Sequence, residues 1–350
     1  MTLSQTLTDK SAFPNYQLSD LELTQIDIIL NELKSQYDSI ERSDFQNACS
    51  IASAGLPFEL KKYLTEIASN LRTEGFYVIS GFQINDAQIG PTPSHWDAPW
   101  GNHSYSREEI FQCLISAYIG STFGWRTQEN GRFLRHIVPI EQDKDEQLGG
   151  SSSTPLLWHT EEAFHPGRAD YMTLMCYRNT EQAETLLTNV RALKLSEKTR
   201  RILSEERFMI EPDKSHLPEN NVSEQWKMRA EQFNKIYDLL SKPRKCAVLH
   251  GTEEYPMMVV DQAFMSPCEG DAIAAAALDE FHAALDEAVT RLVMQSGDLV
   301  IIDNLATAHG RSVYKPNYGP KARWMRRVNI RNGRRAYWNY MESNNSRAMI

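Results

Sequence analysis

The chain has 350 residues, 24% of them charged, and a formal net charge of −9 at pH 7. This negative balance excludes the basic field that draws proteins to nucleic acid or acidic lipid, and no apolar run is long enough to cross a bilayer. The N-terminal residues lack the basic and apolar regions of a secretory leader, and the five scattered cysteines form no CxxC pair. We therefore expect a cytoplasmic protein with reduced cysteines that binds neither nucleic acid nor membranes.

Residues 1–125 are predicted to form a mostly helical flank. Two capping boxes, each a serine followed three positions later by a glutamate, mark helix starts at Ser19 with Glu22 and at Ser106 with Glu109. Between them, Pro57 favours another helix start, and the apolar spacing continues through Leu71 until Gly75 ends it. The short apolar run 76–79 that follows indicates a strand.

Residues 126–335 have the pattern of a β-rich core, with short apolar runs separated by Gly, Pro and Asn. The candidate strands are RFLRHIVPI, PLLWHTE, YMTLMCYR, TLLTNV, CAVLHGT, PMMVVD, DLVIIDN and RRVNIR. A polar insertion at about 213–244 and a helical pattern from Asp271 to Val293 interrupt them. Because the strands do not alternate with helices and no GxGxxG stretch occurs, the pattern predicts a sandwich or jelly roll and not a Rossmann sheet.

The segment LLWHTE carries a candidate pair of metal ligands. Side chains two positions apart on a strand point to the same face, so His159 and Glu161 can aim at a common point. The pair alone is weak evidence, since His95 and Asp97 have the same spacing and are expected to match by chance. A second histidine, His309, follows the strong strand DLVIIDN. Two histidines and one carboxylate on one face of an iron ion leave positions open for a chelating cosubstrate and dioxygen.

The segment KARWMRRVNIR places positive charge at a fixed distance from His309. Arg323 stands fourteen residues after His309, and Arg327 lies four residues further on. Even spacing places both arginines on one face of a strand, where a shielded guanidinium is a strong bidentate carboxylate binder. The alternative is a solvated edge strand whose charges guard against aggregation.

The runs WHTEEAFHPGRADYMTLMCYRN, GDLVIIDN, HGR and RWMRRVNIR, in this order and spacing, resemble the clavaminate-synthase-like branch of the iron(II)/2-oxoglutarate-dependent oxygenases. That branch includes hydroxylases of free arginine, lysine and asparagine. The similarity covers roughly residues 127–331. It implies a mainly β fold with flanking helices (α+β), built on a cupin-like double-stranded β-helix, or jelly roll, and one oxygenase domain over 1–350.

The resemblance implies an iron triad of His159, Glu161 and His309. It assigns Arg323 to the distal carboxylate of 2-oxoglutarate, with the help of a threonine in TLLTNV. Thr185 is preferred to Thr188 for that role. The nearby His165 is expected to have a structural role, because a fourth protein ligand would block a position that the chemistry needs.

For the amino acid substrate, the resemblance assigns Arg327 to the α-carboxylate, Glu161 to the amine, and Gln128 to a place near the substrate. Related arginine hydroxylases read the guanidinium with acidic residues in the segment that here reads PMMVVDQAFM. Asp261 is retained, but Ala263 stands where a second acid is expected. A single carboxylate suits a lysine ammonium at least as well as a guanidinium. The 213–244 insertion is expected to form a lid, on which Asp213, Glu219 or Glu224 would supply the missing charge.

The function implied is a dioxygenase that uses iron(II), 2-oxoglutarate and dioxygen to hydroxylate C3 or C4 of a free, basic L-amino acid, arginine or lysine, with release of succinate and CO₂. Two alternatives keep the same chemistry, on another polar amino acid or on an aminoacyl group tethered to a carrier protein. A third is a non-catalytic jelly-roll protein that binds a small acid. The sequence leaves the oligomeric state open.

Overall fold

The computed structural model describes residues 13–97, 106–150, 153–221, 233–333 and 348–349. The α-helices in these ranges are α1 (Asp20–Gln36), α2 (Ser43–Ala52), α3 (Phe58–Ala68), α4 (Asp86–Ile89), α5 (Arg107–Ile119), α6 (Glu197–Leu203), α7 (Asn234–Ser241) and α8 (Ala272–Glu287). No helix among the described residues has the length and apolar character needed to span a membrane.

The strands in the same ranges are β1 (Asn15–Gln17), β2 (Phe76–Ser80), β3 (Ser121–Trp125), β4 (Leu134–Ile137), β5 (Leu156–His159), β6 (Tyr171–Arg178), β7 (Thr185–Asn189), β8 (Phe208–Ile210), β9 (Arg244–Cys246), β10 (Leu249–Gly251), β11 (Pro256–Met258), β12 (Met265–Pro267), β13 (Thr290–Leu292), β14 (Leu299–Asp303), β15 (Thr307–Arg311), β16 (Trp324–Arg331) and β17 (Ala348–Met349).

Two sheets form the core. The larger has the order β1-β2-β14-β6-β16-β3-β17, with β4 also paired to β16, and the smaller has the order β13-β7-β15-β5. Strand β6 is buried on both faces: Met172 and Leu174 belong to one apolar cluster with Leu187 of the smaller sheet, while Tyr171 and Met175 belong to another with the N-terminal helices. The larger sheet is therefore a middle layer, which confirms the predicted jelly roll with flanking helices.

Local sequence signals account for the helix starts. Ser19 and Glu22 form a capping box at α1, Ser106 and Glu109 form one at α5, and Pro57 is the N-cap of α3, as predicted. The flank also contributes β1, β2 and β3 to the larger sheet, so residues 1–125 and 126–335 share one layer. The assignment of 1–350 to a single domain stays a prediction.

Two helix ends differ from the sequence prediction. The helix α3 ends at Ala68 and not at Gly75, because Asn70 adopts a left-handed conformation (φ 54°), and Leu71 is 73% exposed. The helix α8 ends at Glu287, before the predicted limit of Val293. The residues after it leave the helix because the segment 290–292 pairs with β7, and the β-branched Val289 and Thr290 favour extended backbone.

Candidate active site

His159 and His309 come from neighbouring antiparallel strands. The register of β5 against β15 places them directly opposite each other, with ring centroids 4.1 Å apart. Glu161 follows β5, and its Oε2 lies 3.5 Å from His309 Nε2. One candidate ligand atom from each residue lies within 4.8 Å of the others, and this is the group in the described part of the chain that could hold a metal ion. The structure therefore brings the three predicted ligands together.

Backbone contacts orient the first two of these side chains. His159 Nδ1 is 2.8 Å from the Leu157 carbonyl oxygen and donates to it, which leaves Nε2 for a metal. Asn304 is fully buried; its Oδ1 accepts from the Glu161 N–H at 2.6 Å, and its Nδ2 donates to the Glu161 carbonyl at 3.1 Å. Sequence reasoning did not single out Asn304, although it ends the GDLVIIDN run that the family resemblance used.

The electrostatics of the triad suit a divalent metal. Burial and the neighbouring His309 lower the pKa of His159 to about 4, so its imidazole is neutral and free to ligate. Burial alone would raise the pKa of Glu161, but Arg327 and the two histidines outweigh that effect and hold it well below its ordinary value. Glu161 Oε2 is buried without a hydrogen-bond partner in the described residues. Two imidazole nitrogens and one carboxylate are the donor set of non-haem iron(II) sites, so the residues fit that metal.

His159, Glu161 and His309 line a cavity that has a positive end. Arg323 and Thr185 both line it, and Arg323 Nε and Thr185 Oγ1 are buried without a hydrogen-bond partner in the parts of the chain that the structure describes. Arg311 lines it too, and burial followed by the charge of Arg323 lowers the pKa of Arg311 to about 10. The Thr188 hydroxyl instead donates to the Leu285 carbonyl at 3.0 Å. The structure thus distinguishes the two threonines, between which the sequence pattern indicated only a weak preference: the Thr185 hydroxyl is available at the cavity, and the Thr188 hydroxyl is engaged elsewhere.

Arg327 lies beside the metal-binding group. Its Nη1 forms an ion pair with Glu161 Oε1, and its Nη2 lies 3.7 Å from Glu162 Oε1. Glu162 is buried, has a left-handed backbone (φ 48°), and accepts from Asn329 Nδ2 at 3.2 Å. Burial and the adjacent Glu161 raise the pKa of Glu162 to about 8. Sequence reasoning missed Glu162, whose position follows from the tight turn after β5.

Gln128 is buried behind two residues that line the cavity. Its Oε1 accepts from Arg135 Nη1 at 2.5 Å, and its Nε2 donates to Ser215 Oγ. It therefore lies one side chain away from the cavity surface. Arg135 also donates from Nε to Glu129 Oε1 at 2.8 Å, and neither residue was identified from the sequence.

Asp261 lines the cavity next to the triad, and its backbone forms an isolated antiparallel β-bridge with that of His159. Its Oδ1 accepts from the backbone N–H groups of Ala263 and Phe264 at 3.1 and 3.2 Å. Burial, and then the charge of Asp213, raise the pKa of Asp261 well above its ordinary value. Asp213 lines the same cavity, so a second carboxylate is present although Ala263 carries none.

Two further residues discussed from the sequence, Glu219 and His165, are not among those that line the cavity. Glu219 is exposed, and Glu224 lies outside the described residues. His165 accepts from the Gly167 N–H at 2.9 Å, and its ring centroid lies 4.7 Å from that of Trp125, which agrees with a structural role.

Comparisons with known proteins agree with this geometry. Residues 52–329 match the model of the family described as taurine catabolism dioxygenase TauD, TfdA family. The enduracididine beta-hydroxylase of Streptomyces hygroscopicus is 33% identical over 321 residues, which cover 89% of this chain and 93% of that protein. The L-ornithine/L-arginine 3-hydroxylase of Catenulispora acidiphila is 34% identical over 312 residues, covering 86% and 90%.

Among solved structures, the non-heme iron oxygenase OrfP in complex with Fe, succinate and (3S)-hydroxy-L-Arg superposes with a TM-score of 0.90 at 31% identity, covering 97% of this chain and 100% of that one. A second OrfP structure, with Fe and alpha-ketoglutaric acid, has a TM-score of 0.83 at 29% identity and covers 96% and 100%. The chain therefore belongs to the taurine catabolism dioxygenase TauD, TfdA family.

Proposed function

We propose that the protein is an iron(II)- and 2-oxoglutarate-dependent dioxygenase that hydroxylates C3 or C4 of a free, basic L-amino acid and releases succinate and CO₂. The observation that carries this proposal is the convergence of His159, Glu161 and His309 at one cavity. The cavity has a positive end, with Arg323, and an acidic wall formed by Asp213 and Asp261. The similar proteins support it, because their names describe hydroxylation of ornithine, arginine or enduracididine.

In this proposal His159, Glu161 and His309 hold iron(II), and bound iron supplies the activation of dioxygen that amino acid side chains cannot provide. Arg323 and Thr185 bind the distal carboxylate of 2-oxoglutarate. Both offer buried donors that have no other hydrogen-bond partner among the described residues. A buried, charge-assisted contact of this kind is strong and fixes the cosubstrate in one orientation.

The amino acid lies along the wall formed by Arg327 and Glu161. Arg327 binds the α-carboxylate and Glu161 the α-ammonium group, while Gln128 lies near the substrate, behind Arg135 and Ser215. Arg327 already lies against Glu161 Oε1, so a zwitterion that bridges the two residues replaces one ion pair by two. The contribution of these residues is to place one C–H bond of the substrate at a fixed distance from the iron.

The side chain of the substrate points to the acidic wall. Asp261 and Asp213 are close enough to interact, and the mutual repulsion of two carboxylates favours a cation between them. This pair fits a guanidinium or an ammonium group, so arginine, ornithine and lysine are the first candidates. A free amino acid in the cytoplasm, and not one tethered to a carrier protein, is the substrate we propose.

The test is a screen of iron-loaded protein with 2-oxoglutarate and each free amino acid, ornithine included. Succinate formation and a product heavier by one oxygen atom are the readouts, and the matched control is His309→Ala. We expect one basic amino acid to stimulate both readouts. If no free amino acid does so and a carrier-bound one does, the tethered alternative is correct; if neither does, the small-acid-binder alternative replaces the proposal.

A further inference from the structure

Three consecutive residues after β3 contact a segment that borders the active-site cavity. This segment, residues 213–221, is called the entrance segment below. Thr127 Oγ1 lies 2.6 Å from His216 Nδ1, Gln128 Nε2 donates to Ser215 Oγ, and the Glu129 N–H donates to Asn221 Oδ1 at 2.9 Å. The turn and the entrance segment are thus joined along their length.

The entrance segment forms part of the cavity wall. Asp213, Ser215 and Asn221 all line the cavity, together with Asp261 and the metal-binding group. Its anchor is His216, which is fully buried and packs edge-on against the rings of Trp125 and Phe164. Whatever fixes the turn that holds this segment therefore also fixes the acidic wall.

Arg135 holds two of the three turn residues. It donates from Nη1 to Gln128 Oε1 at 2.5 Å and from Nε to Glu129 Oε1 at 2.8 Å. Since a guanidinium only donates, the Gln128 amide oxygen must face Arg135, and its NH₂ group must then face Ser215. Arg135 thus decides which end of this amide contacts the entrance segment.

The second contact stabilises a strained backbone. Glu129 is buried and has a left-handed conformation (φ 45°), which is unfavourable for a residue other than glycine. Its carboxylate is held by Arg135, and its N–H donates to Asn221 from this conformation. Without Arg135, the turn would relax toward an ordinary conformation and the contact with Asn221 would be lost.

Arg135 is also next to Arg327, which we propose binds the α-carboxylate of the amino acid. In the pairing of β4 with β16 it lies directly opposite Arg327, and its side chain lines the same cavity. Two side-chain hydrogen bonds therefore lead from Arg135, the strand neighbour of Arg327, through Gln128 to Ser215 of the entrance segment.

We propose that Arg135 is a positioning residue for the amino acid substrate: it holds the turn 127–129 so that the entrance segment closes the cavity wall and presents Asp213. The inference rests on the proposed function and deepens it. Loss of Arg135 is expected to weaken amino acid binding and to admit water, so that 2-oxoglutarate is consumed without an equal yield of hydroxylated product. Binding of 2-oxoglutarate, at the Arg323 end, should not change.

The test compares Arg135→Gln with Arg132→Gln, a matched loss of charge three residues earlier in the chain, where the side chain contacts the Trp96 carbonyl instead. For Arg135→Gln we expect the KM for the amino acid to rise about 10- to 100-fold, as misplacement of a binding group does. The KM for 2-oxoglutarate should stay within about twofold of wild type, and the ratio of hydroxylated product to succinate should fall. Arg135→Lys, with one point charge in place of a fork, should recover only part of the loss.

Hydrogen exchange of residues 213–221 in the metal-free protein gives a readout that does not depend on activity. Faster exchange in Arg135→Gln, but not in Arg132→Gln, is expected. Should Arg135→Gln fail to fold, Asn221→Ala removes the hydrogen bond between Glu129 and the entrance segment from the other side. This variant is also expected to raise the KM for the amino acid and to leave the KM for 2-oxoglutarate unchanged. An unchanged KM for the amino acid, or an equal rise for both substrates, overturns the inference. Wild-type protein that consumes no 2-oxoglutarate with any amino acid overturns the proposed function, and hydrogen exchange then still decides whether Arg135 holds the segment.

Discussion

Thr185 and Thr188 are three residues apart on β7, so their side chains point to opposite faces of the strand. We predict that Thr185 binds 2-oxoglutarate and that Thr188 stabilises the fold. The Thr185 hydroxyl is buried without a hydrogen-bond partner in the described residues and shares the cavity with Arg323. Its hydrogen bond to a carboxylate is worth about 1.5–3 kcal/mol. Thr185→Val, which keeps the shape of the side chain, should therefore raise the 2-oxoglutarate requirement about 10- to 150-fold. The stability of the protein should not fall, since no internal hydrogen bond is removed.

Thr188→Val is the matched control. Its hydroxyl donates to the Leu285 carbonyl and joins β7 to α8, so its loss should lower the free energy of unfolding by about 0.5–1.5 kcal/mol. The 2-oxoglutarate requirement should remain that of wild type. Succinate formation as a function of 2-oxoglutarate gives the first quantity, and urea denaturation of the metal-free protein gives the second. The reasoning is refuted if Thr188→Val raises the 2-oxoglutarate requirement and Thr185→Val leaves it unchanged.

Four further substitutions test the rest of the site. His309→Ala should abolish iron binding and iron-dependent succinate formation while the circular dichroism spectrum is retained; activity in the folded variant would remove His309 from the triad. Arg323→Ala should raise the 2-oxoglutarate requirement by the equivalent of about 2–5 kcal/mol, and an unchanged requirement would move the clamp to another arginine. Asn304→Ala should weaken iron affinity about 10- to 100-fold, measured by competition with a chelator, because the backbone of Glu161 loses its support. Asp261→Asn should raise the KM for a basic amino acid by roughly tenfold, and an equal effect on a neutral one would contradict a charge-reading role.

The periodicity of the sequence predicted much of the fold because the relevant signals are local. The strand β6 could be predicted from eight residues of which six are apolar or aromatic, and both capping boxes form as expected. The end of α8 was missed because a distant strand decided the outcome. Residues 290–292 leave the helical pattern because β7 supplies their backbone hydrogen-bond partners. Because β7 is about a hundred residues earlier in the chain, the local sequence pattern carries no sign of this pairing.

The candidate site likewise contains residues that the sequence predicted and residues that only the structure revealed. His159, Glu161 and His309 were predicted from spacing and family resemblance, and they converge because β5 and β15 pair in the right register. Asn304 and Arg135 were not singled out, since each acts through a hydrogen bond to a residue that is remote in sequence or hidden behind a turn. Their signal is a polar side chain that is buried or half-buried and has directed partners, which exists only in three dimensions.

The acidic wall illustrates why the substrate class depends on such remote contacts. The family resemblance implies a second acid two residues after Asp261, where Ala263 stands, and the predicted substitutes are Asp213, Glu219 or Glu224. Of these three, the structure places Asp213 in the cavity lining, from a segment almost fifty residues earlier. Repulsion between the two carboxylates is relieved when a cation binds between them, so a basic substrate would stabilise the entrance segment and a neutral one would not. Recognition of charge and closure of the cavity would then be one event, because Asp213 is held by the segment that Gln128 and Arg135 fix in place.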